Sequence, residues 1–173
     1  MLPVEVTGRE QHAYLAQLWA NHPNVKGDGP LLDKSVYENQ CAIGVSAALM
    51  RSGVNMKAYS GVWSWQKDKP KYAIRAQELA SWLASGAAHL PTRFQKYTGD
   101  DVKNIWEKVE DRTGVIFFRD YYGPGMQGDH IDLRNGSRMT ALSSWVRINL
   151  RVGPVGLGSD HRKSSAVWFW EMP

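Results

Sequence analysis

The stretch Tyr37-Glu-Asn-Gln-Cys41-Ala-Ile-Gly-Val-Ser-Ala-Ala-Leu-Met-Arg-Ser-Gly53 decides how the rest of the chain is read, because it carries the only cysteine among 173 residues. Cys41, Val45, Ala48 and Leu49 recur at helical spacing, Asn39 suits an N-cap and Gly53 suits a stop. A thiol in the first turn of such a helix sits against the positive end of the helix dipole, among backbone N–H groups without intrahelical partners. Both favour thiolate over thiol, the form in which cysteine attacks. Ser35-Val-Tyr-Glu38 also fits a capping box, which would start the helix a turn earlier and place Cys41 in its interior. A buried cysteine packs as a small hydrophobe, so the two helix starts assign two different roles.

The length suits one domain, residues 1–173, with a core that needs no staples. Hydrophobic residues make up 43% of the chain, and no apolar run approaches the roughly 18 residues that a membrane helix needs, so the sequence predicts a soluble, globular protein without membrane insertion. Met-Leu-Pro-Val-Glu-Val6 lacks a basic region followed by an apolar stretch, which predicts synthesis in the cytoplasm without a secretory signal. A single cysteine forms no internal disulfide, so folding does not depend on an oxidising compartment. The net charge of +4 is spread along the chain without a block of like charge; it permits an anionic partner and demands none. Eight tryptophans could supply a stacking platform, although most tryptophans serve in or beside a core.

Outward from the cysteine helix, Thr7-Gly-Arg-Glu10 is a capping box before a stripe of Gln11, Leu15, Leu18 and Trp19, and this helix should end near Asn21-His22-Pro23. Asn24 to Pro30 reads as a loop, Val54 to Trp65 as a segment with a short strand, and Gln66 to Lys71 as a charged turn. Tyr72 to Ser85 reads as a helix with Tyr72, Ala76, Leu79, Ala80 and Leu83 on one face. Asp100 caps another, whose stripe is Val102, Ile105, Trp106 and Val109. Val115-Ile-Phe-Phe118 has the continuous apolar run of a buried strand, His130-Ile-Asp-Leu133 alternates, Asn135-Gly136 signals a hairpin, and Ala166 to Trp170 reads as a final strand. Tyr121 to Gly128 and Gly153 to Ser164 are loops. Helices first and strands later predict an α+β domain, with N-terminal helices packed on an antiparallel sheet.

A cysteine nucleophile needs a base. Of the five histidines, His12 falls on a helix face, His22 and His89 at element ends, and His161 in a loop. His130 opens a strand in which it shares a face with Asp132, opposite Ile131 and Leu133. That polar face would border a cleft and the apolar face the core. A cysteine at a helix start against a histidine on a strand is how a thiolate–imidazole pair is assembled. The plainer alternative is that His130 and Asp132 form the solvated side of a half-exposed strand.

Five stretches carry a resemblance across nearly the whole chain, in order: Glu38-Asn-Gln-Cys-Ala-Ile43, Tyr72-Ala-Ile-Arg-Ala-Gln-Glu-Leu-Ala-Ser-Trp-Leu83, Gly114-Val-Ile-Phe-Phe118, His130-Ile-Asp-Leu-Arg-Asn-Gly136 and Val167-Trp-Phe-Trp170. Together they resemble the type VI secretion amidase effectors, family four, a branch of the papain-like, NlpC-type peptidoglycan amidases. The resemblance implies a papain-like cysteine amidase fold and an antibacterial toxin without cofactor or metal. Its substrate would be the amide bond between D-glutamate and meso-diaminopimelate in peptidoglycan stem peptides. It also implies delivery by the type VI secretion apparatus into the periplasm of target bacteria, and a cognate immunity protein in the producer. Carried over, Cys41 matches the nucleophile and His130 the general base, with the backbone N–H of Cys41 and the side chains of Asn39 and Gln40 as candidate oxyanion donors. The third member departs from the family. An Asn-Gly two-residue turn would pair Arg134 with Ser137 and set Ala141 opposite His130, where the family tends to carry an aspartate. Alanine cannot orient an imidazole, so Asp132 becomes the expected orienter, with Asp129 and Asn135 as alternatives. Gly44-Val45 departs as well, standing where the family usually has Arg-Met. A glycine inside a helix costs about 1 kcal/mol against alanine, so something near it should need the space.

Three other readings compete. A wall-binding domain with weakened or lost chemistry would explain the tryptophans and Ala141. A metal hydrolase built on Asp129, His130 and Asp132 lacks a recognised ligand spacing, and a nucleic-acid binder lacks a basic stripe or motif.

Overall fold

The computed structural model describes residues 8–122, 125, 128–140 and 161–172. Thr7, Ala141 and most of the Gly153–Ser164 loop lie outside the described residues. Helix α1 runs Gly8–Asn21, the one-turn α2 Pro23–Lys26, α3 Cys41–Arg51 and α4 Ala76–Ala84. Strand β1 (Arg93–Thr98) is followed by two one-turn helices, α5 (Asp100–Lys103) and α6 (Ile105–Lys108), then by β2 (Thr113–Tyr122), β3 (Gly128–Asn135), β4 (Arg138–Met139) and β5 (Ala166–Glu171). A 3₁₀ turn at His161–Lys163 precedes β5. The strands form an antiparallel sheet in the order β1-β5-β2-β3-β4, so the α+β expectation holds.

The sheet is covered on both faces. Val115, Phe117, Ile131, Leu133 and Trp170 pack against α1, α3 and α4 through residues such as Leu18, Val45, Leu49, Leu79 and Leu83. Ile116, Phe118, Val167 and Phe169 point the other way, onto Val102, Ile105 and Val109 of the α5–α6 segment. Residues 114–118 of β2 are therefore buried in succession, which is why the sequence shows a continuous apolar run there instead of alternation. Each buried phenylalanine contributes roughly 1.5–3 kcal/mol, so Phe117 and Phe118 anchor the sheet from both sides. Arg112 then ties the elements together. Its guanidinium donates to both Glu171 oxygens (2.9 and 2.8 Å), to Tyr97 Oη (2.8 Å) and to the Lys108 carbonyl (2.9 Å), and it also contacts Gln95.

Several elements differ from the sequence reading. Tyr72 to Arg75 is extended, and the helix starts at Ala76. Ser64 N–H donates to the Tyr72 carbonyl (2.8 Å), Ile74 N–H to the Val62 carbonyl (3.3 Å) and Ala73 N–H to Ser46 Oγ (3.2 Å), so backbone bonding outweighs the helical stripe there. The expected strand within Val54–Trp65 reduces to a single bridge between Trp63 and Ala73. The Asp100 helix breaks at Asn104 into α5 and α6, although its stripe of Val102, Ile105 and Val109 is buried as expected. Strand β1 and helix α2 had no counterpart in the reading. The hairpin register also differs. Arg134 pairs with Met139 and Asn135 with Arg138, so the two-residue turn is Gly136-Ser137, not Asn135-Gly136. Gly136 has φ +63° and Ser137 is not left-handed, the sign pattern of a type II′ turn, which places glycine first. The register that would have set Ala141 opposite His130 is not formed.

Candidate active site

Cys41 is the first residue of α3, not an interior one. The rival capping box fails because Asp33, not Ser35, organises that turn: its Oδ1 accepts from Ser35 N–H (2.8 Å) and its carbonyl accepts from Tyr37 N–H (2.8 Å). The loop then reaches α3 under two restraints. Gln40, the residue at the cap position, donates from Nε2 to the carbonyls of Tyr37 (2.7 Å) and Leu32 (3.4 Å). Asn39 Oδ1 accepts from Cys41 N–H (3.1 Å), supplying the side-chain cap from one residue further out. The Gln40 amide therefore braces the loop, while Asn39 accepts from the Cys41 N–H itself.

His130 and Asp132 share the strand face that also carries Arg134, as the alternation of β3 requires. That face is not solvated. Asp132 is 2% exposed and His130 stacks on Phe118, with His161 packed beside both rings. His161, expected in a loop, is a buried wall of the site. His130 Nε2 lies 3.5 Å from Asp132 Oδ2, an ion-pair distance rather than a short hydrogen bond. Burial alone would lower the proton affinity of His130. The bond to Asp132, and the bond and charge of Cys41, outweigh it and raise the pKa from 6.5 to about 10. Asp132 shows the converse balance: burial opposes its charge, but His130, His22 and Thr140 hold its carboxyl below the ordinary aspartate value.

Behind this pair lies a second layer. Asp132 Oδ1 accepts from Leu133 N–H (2.7 Å), from Thr140 N–H (3.3 Å) and from the Thr140 hydroxyl. Thr140 Oγ1 is in turn 3.3 Å from Nε2 of His22, which is 3% exposed. His22 caps α2, its Nδ1 accepting from Asn24 N–H at 3.2 Å, with Pro23 in the first helical position where it is pre-organised. Gly44 faces this ring across α3, and a Cβ there would lie 2.9 Å from both His22 Cε1 and Nε2. The space that Gly44 leaves is occupied by His22. A cavity of about 290 Å³ opens onto Cys41, His130, Asp132, Thr140 and His22, with Lys34 and Glu38 at its exposed edge.

Residues 37–170 match the family described as type VI secretion system (T6SS), amidase effector protein 4. The chain belongs to that family. None of the curated proteins compared matches it. Among solved structures, the family 4 effector is similar to Tae4 in the Tae4–Tai4 effector–immunity complex from Enterobacter cloacae, with TM-score 0.59 and 18% identity over 94% of this chain and 97% of that one. It is similar also to Tae4 in the Tae4–Tai4 effector–immunity system from Salmonella typhimurium, with TM-score 0.57 and 14% identity over 96% and 98%. Enterobacter cloacae Tae4 alone gives TM-score 0.53 and 15% identity over 94% and 96%. These likenesses establish a shared α+β, papain-like fold.

In this family 4 effector the sheet and α3 bring together Cys41, His130 and Asp132, with Asn39 beside them. Asp129 is turned elsewhere, accepting from Asp120 N–H at 2.9 Å. Among the described residues no group of three histidine, cysteine, aspartate or glutamate side chains is placed to hold a metal ion, and no helix is long and apolar enough to cross a membrane. Trp63 and Trp65 are not in the cavity wall: Trp63 meets Tyr59 edge-on at 5.1 Å, and Trp65, 62% exposed, packs on Tyr37 at 4.8 Å. Sequence reasoning missed His22, whose one signal was the unexplained Gly44, and left Thr140 without a role.

Proposed function

We propose that the effector hydrolyses the D-glutamyl–meso-diaminopimelate amide bond of peptidoglycan stem peptides, with Cys41 as nucleophile and His130 as general acid and base. The observation that carries this reading is His130 held between Cys41 and Asp132 at the mouth of a cavity. Asp132 takes Nε2 of His130, which leaves Nδ1 as the nitrogen for the thiol, and the imidazolium that results stabilises the attacking thiolate. Cys41 Sγ adds to the amide carbonyl. The oxygen that becomes negative takes the place of Asn39 Oδ1 on the Cys41 N–H, at the positive end of α3. Once the sulfur is bonded to the carbonyl carbon its charge is gone, and one cause of the high proton affinity of His130 goes with it. The imidazolium then gives its proton to the leaving amine, and the neutral ring activates water to cleave the thioester. Lys34 and Glu38 at the cavity edge offer one cation and one anion, charges that suit a free carboxylate and an ammonium on the two sides of such a bond.

Delivery by a type VI apparatus into the periplasm of a target cell, action as a single domain, and an immunity protein that covers this cavity complete the proposal. The pairing of Tae4 with Tai4 in structures of similar fold supports the last of these. The test is digestion of diaminopimelate-type sacculi by the parent and by Cys41→Ala, with fragments read by mass spectrometry. Fragments ending at D-glutamate should appear with the parent alone, the variant losing at least about a thousandfold in rate as removal of a nucleophile does. Equal cleavage by a folded Cys41→Ala would overturn the mechanism, and no cleavage by the parent would leave a wall-binding role.

A further inference from the structure

We propose that His22 is a positioning residue, acting through the Thr140 hydroxyl to hold the Asp132 carboxylate with its second oxygen turned to His130. This rests on the thiol mechanism above. The direction of every bond in the relay is fixed by what its neighbours can do. Asn24 N–H donates to His22 Nδ1, so that nitrogen carries no proton and the proton of the neutral ring is on Nε2. Nε2–H therefore donates to Thr140 Oγ1 at 3.3 Å. An ionised carboxylate only accepts, so the Thr140 hydroxyl donates to Asp132 Oδ1. With Oδ1 also bonded by two backbone N–H groups, the carboxylate cannot rotate, and Oδ2 stays on His130 at 3.5 Å.

Two further features suit this role. Burial lowers the proton affinity of His22, countered by Asp132 and reinforced by Arg51 and His130, which are the charged or titratable groups acting on it. The ring is thereby kept in the neutral form that the relay needs. Gly44 is the second feature, because any side chain at that position of α3 would enter the volume of the ring. The glycine and the histidine are a matched pair.

The experiment compares Thr140→Val, which keeps shape and loses the hydroxyl, with Thr140→Ser, which keeps the hydroxyl and loses packing. Folding of each is checked by circular dichroism and thermal unfolding. Two rates are read: kcat and KM on a stem peptide, and alkylation of Cys41 by iodoacetamide at pH 7, which needs no wall substrate. If the relay operates, Thr140→Val lowers kcat and the alkylation rate by about tenfold with KM unchanged, as loss of a hydrogen bond to a charged group predicts, while Thr140→Ser stays within about threefold. His22→Leu matches the loss in Thr140→Val, and the double variant adds no further loss, since both break one chain of bonds. A folded Thr140→Val or His22→Leu with both parental rates, Thr140→Ser slower than Thr140→Val, or additive losses would overturn the relay. Loss of alkylation in Thr140→Val by a protein whose parent cuts no sacculi would uphold the relay and sink the amidase reading. Parental rates in Thr140→Val beside a dead Cys41→Ala would do the reverse.

Discussion

His130 binds its proton more tightly in the fold than in the unfolded chain, with a pKa raised from 6.5 to about 10 by Asp132 and Cys41 against the opposing effect of burial. The charged ring is thus the form that the fold favours. Its stabilising contribution is complete below about 6.5, fades as the pH rises, and is gone above about 10. The urea-unfolding free energy of the parent should exceed that of His130→Gln most at pH 6, and the gap should close towards pH 10. A gap that is constant or widens with pH would show that the ring is not an imidazolium at neutrality. Cys41, His130 and Asp132 were legible in the sequence because each declares itself locally, by residue type, helix position or two-residue strand spacing. His22 and Thr140 did not, because they meet across 118 positions. No local pattern encodes that distance, and only the shape of the fold closes it.

At the scale of elements, α3 has a glycine where helix propensity alone would select alanine. Gly44→Ala gains about 1 kcal/mol of intrinsic helix stability. Its Cβ would also stand 2.9 Å from two atoms of a ring that is itself held by Asn24 and Thr140. Overpacking of this kind typically costs about 1–3 kcal/mol, so the net effect should be a lower melting temperature together with a lower kcat. A Gly44→Ala protein that is more stable and fully active would show that the ring moves aside freely. The helices were legible wherever an apolar stripe ran under a stop signal, as in α1 and α3. The start of α4 was not, because Tyr72 lies on the stripe yet takes its backbone bonds from Ser64. Strand β1 was invisible for a different reason: its side chains are mostly exposed, and it is fixed by its ladder to β5 rather than by an apolar face.

For the whole molecule, the sheet order places β5 between β1 and β2. Among the described strands, β1 pairs with β5 alone, and the Arg112 clamp closes on Glu171 of the same strand. A chain ending at Ser165 should therefore lose both β5 ladders, expose the buried faces of Val167, Phe169 and Trp170's partners, and fail to protect its core amides in hydrogen exchange. Native-like protection of β2 in that truncated chain would contradict this. The order of the strands also sets an order in time. During synthesis Phe118, which His130 stacks on, is made before His130 itself, whereas the second neighbour of β2 arrives only with residues 166–171. Pairing on both sides of β2 therefore waits for the last described strand, which makes β5 the piece that closes the sheet over its own core.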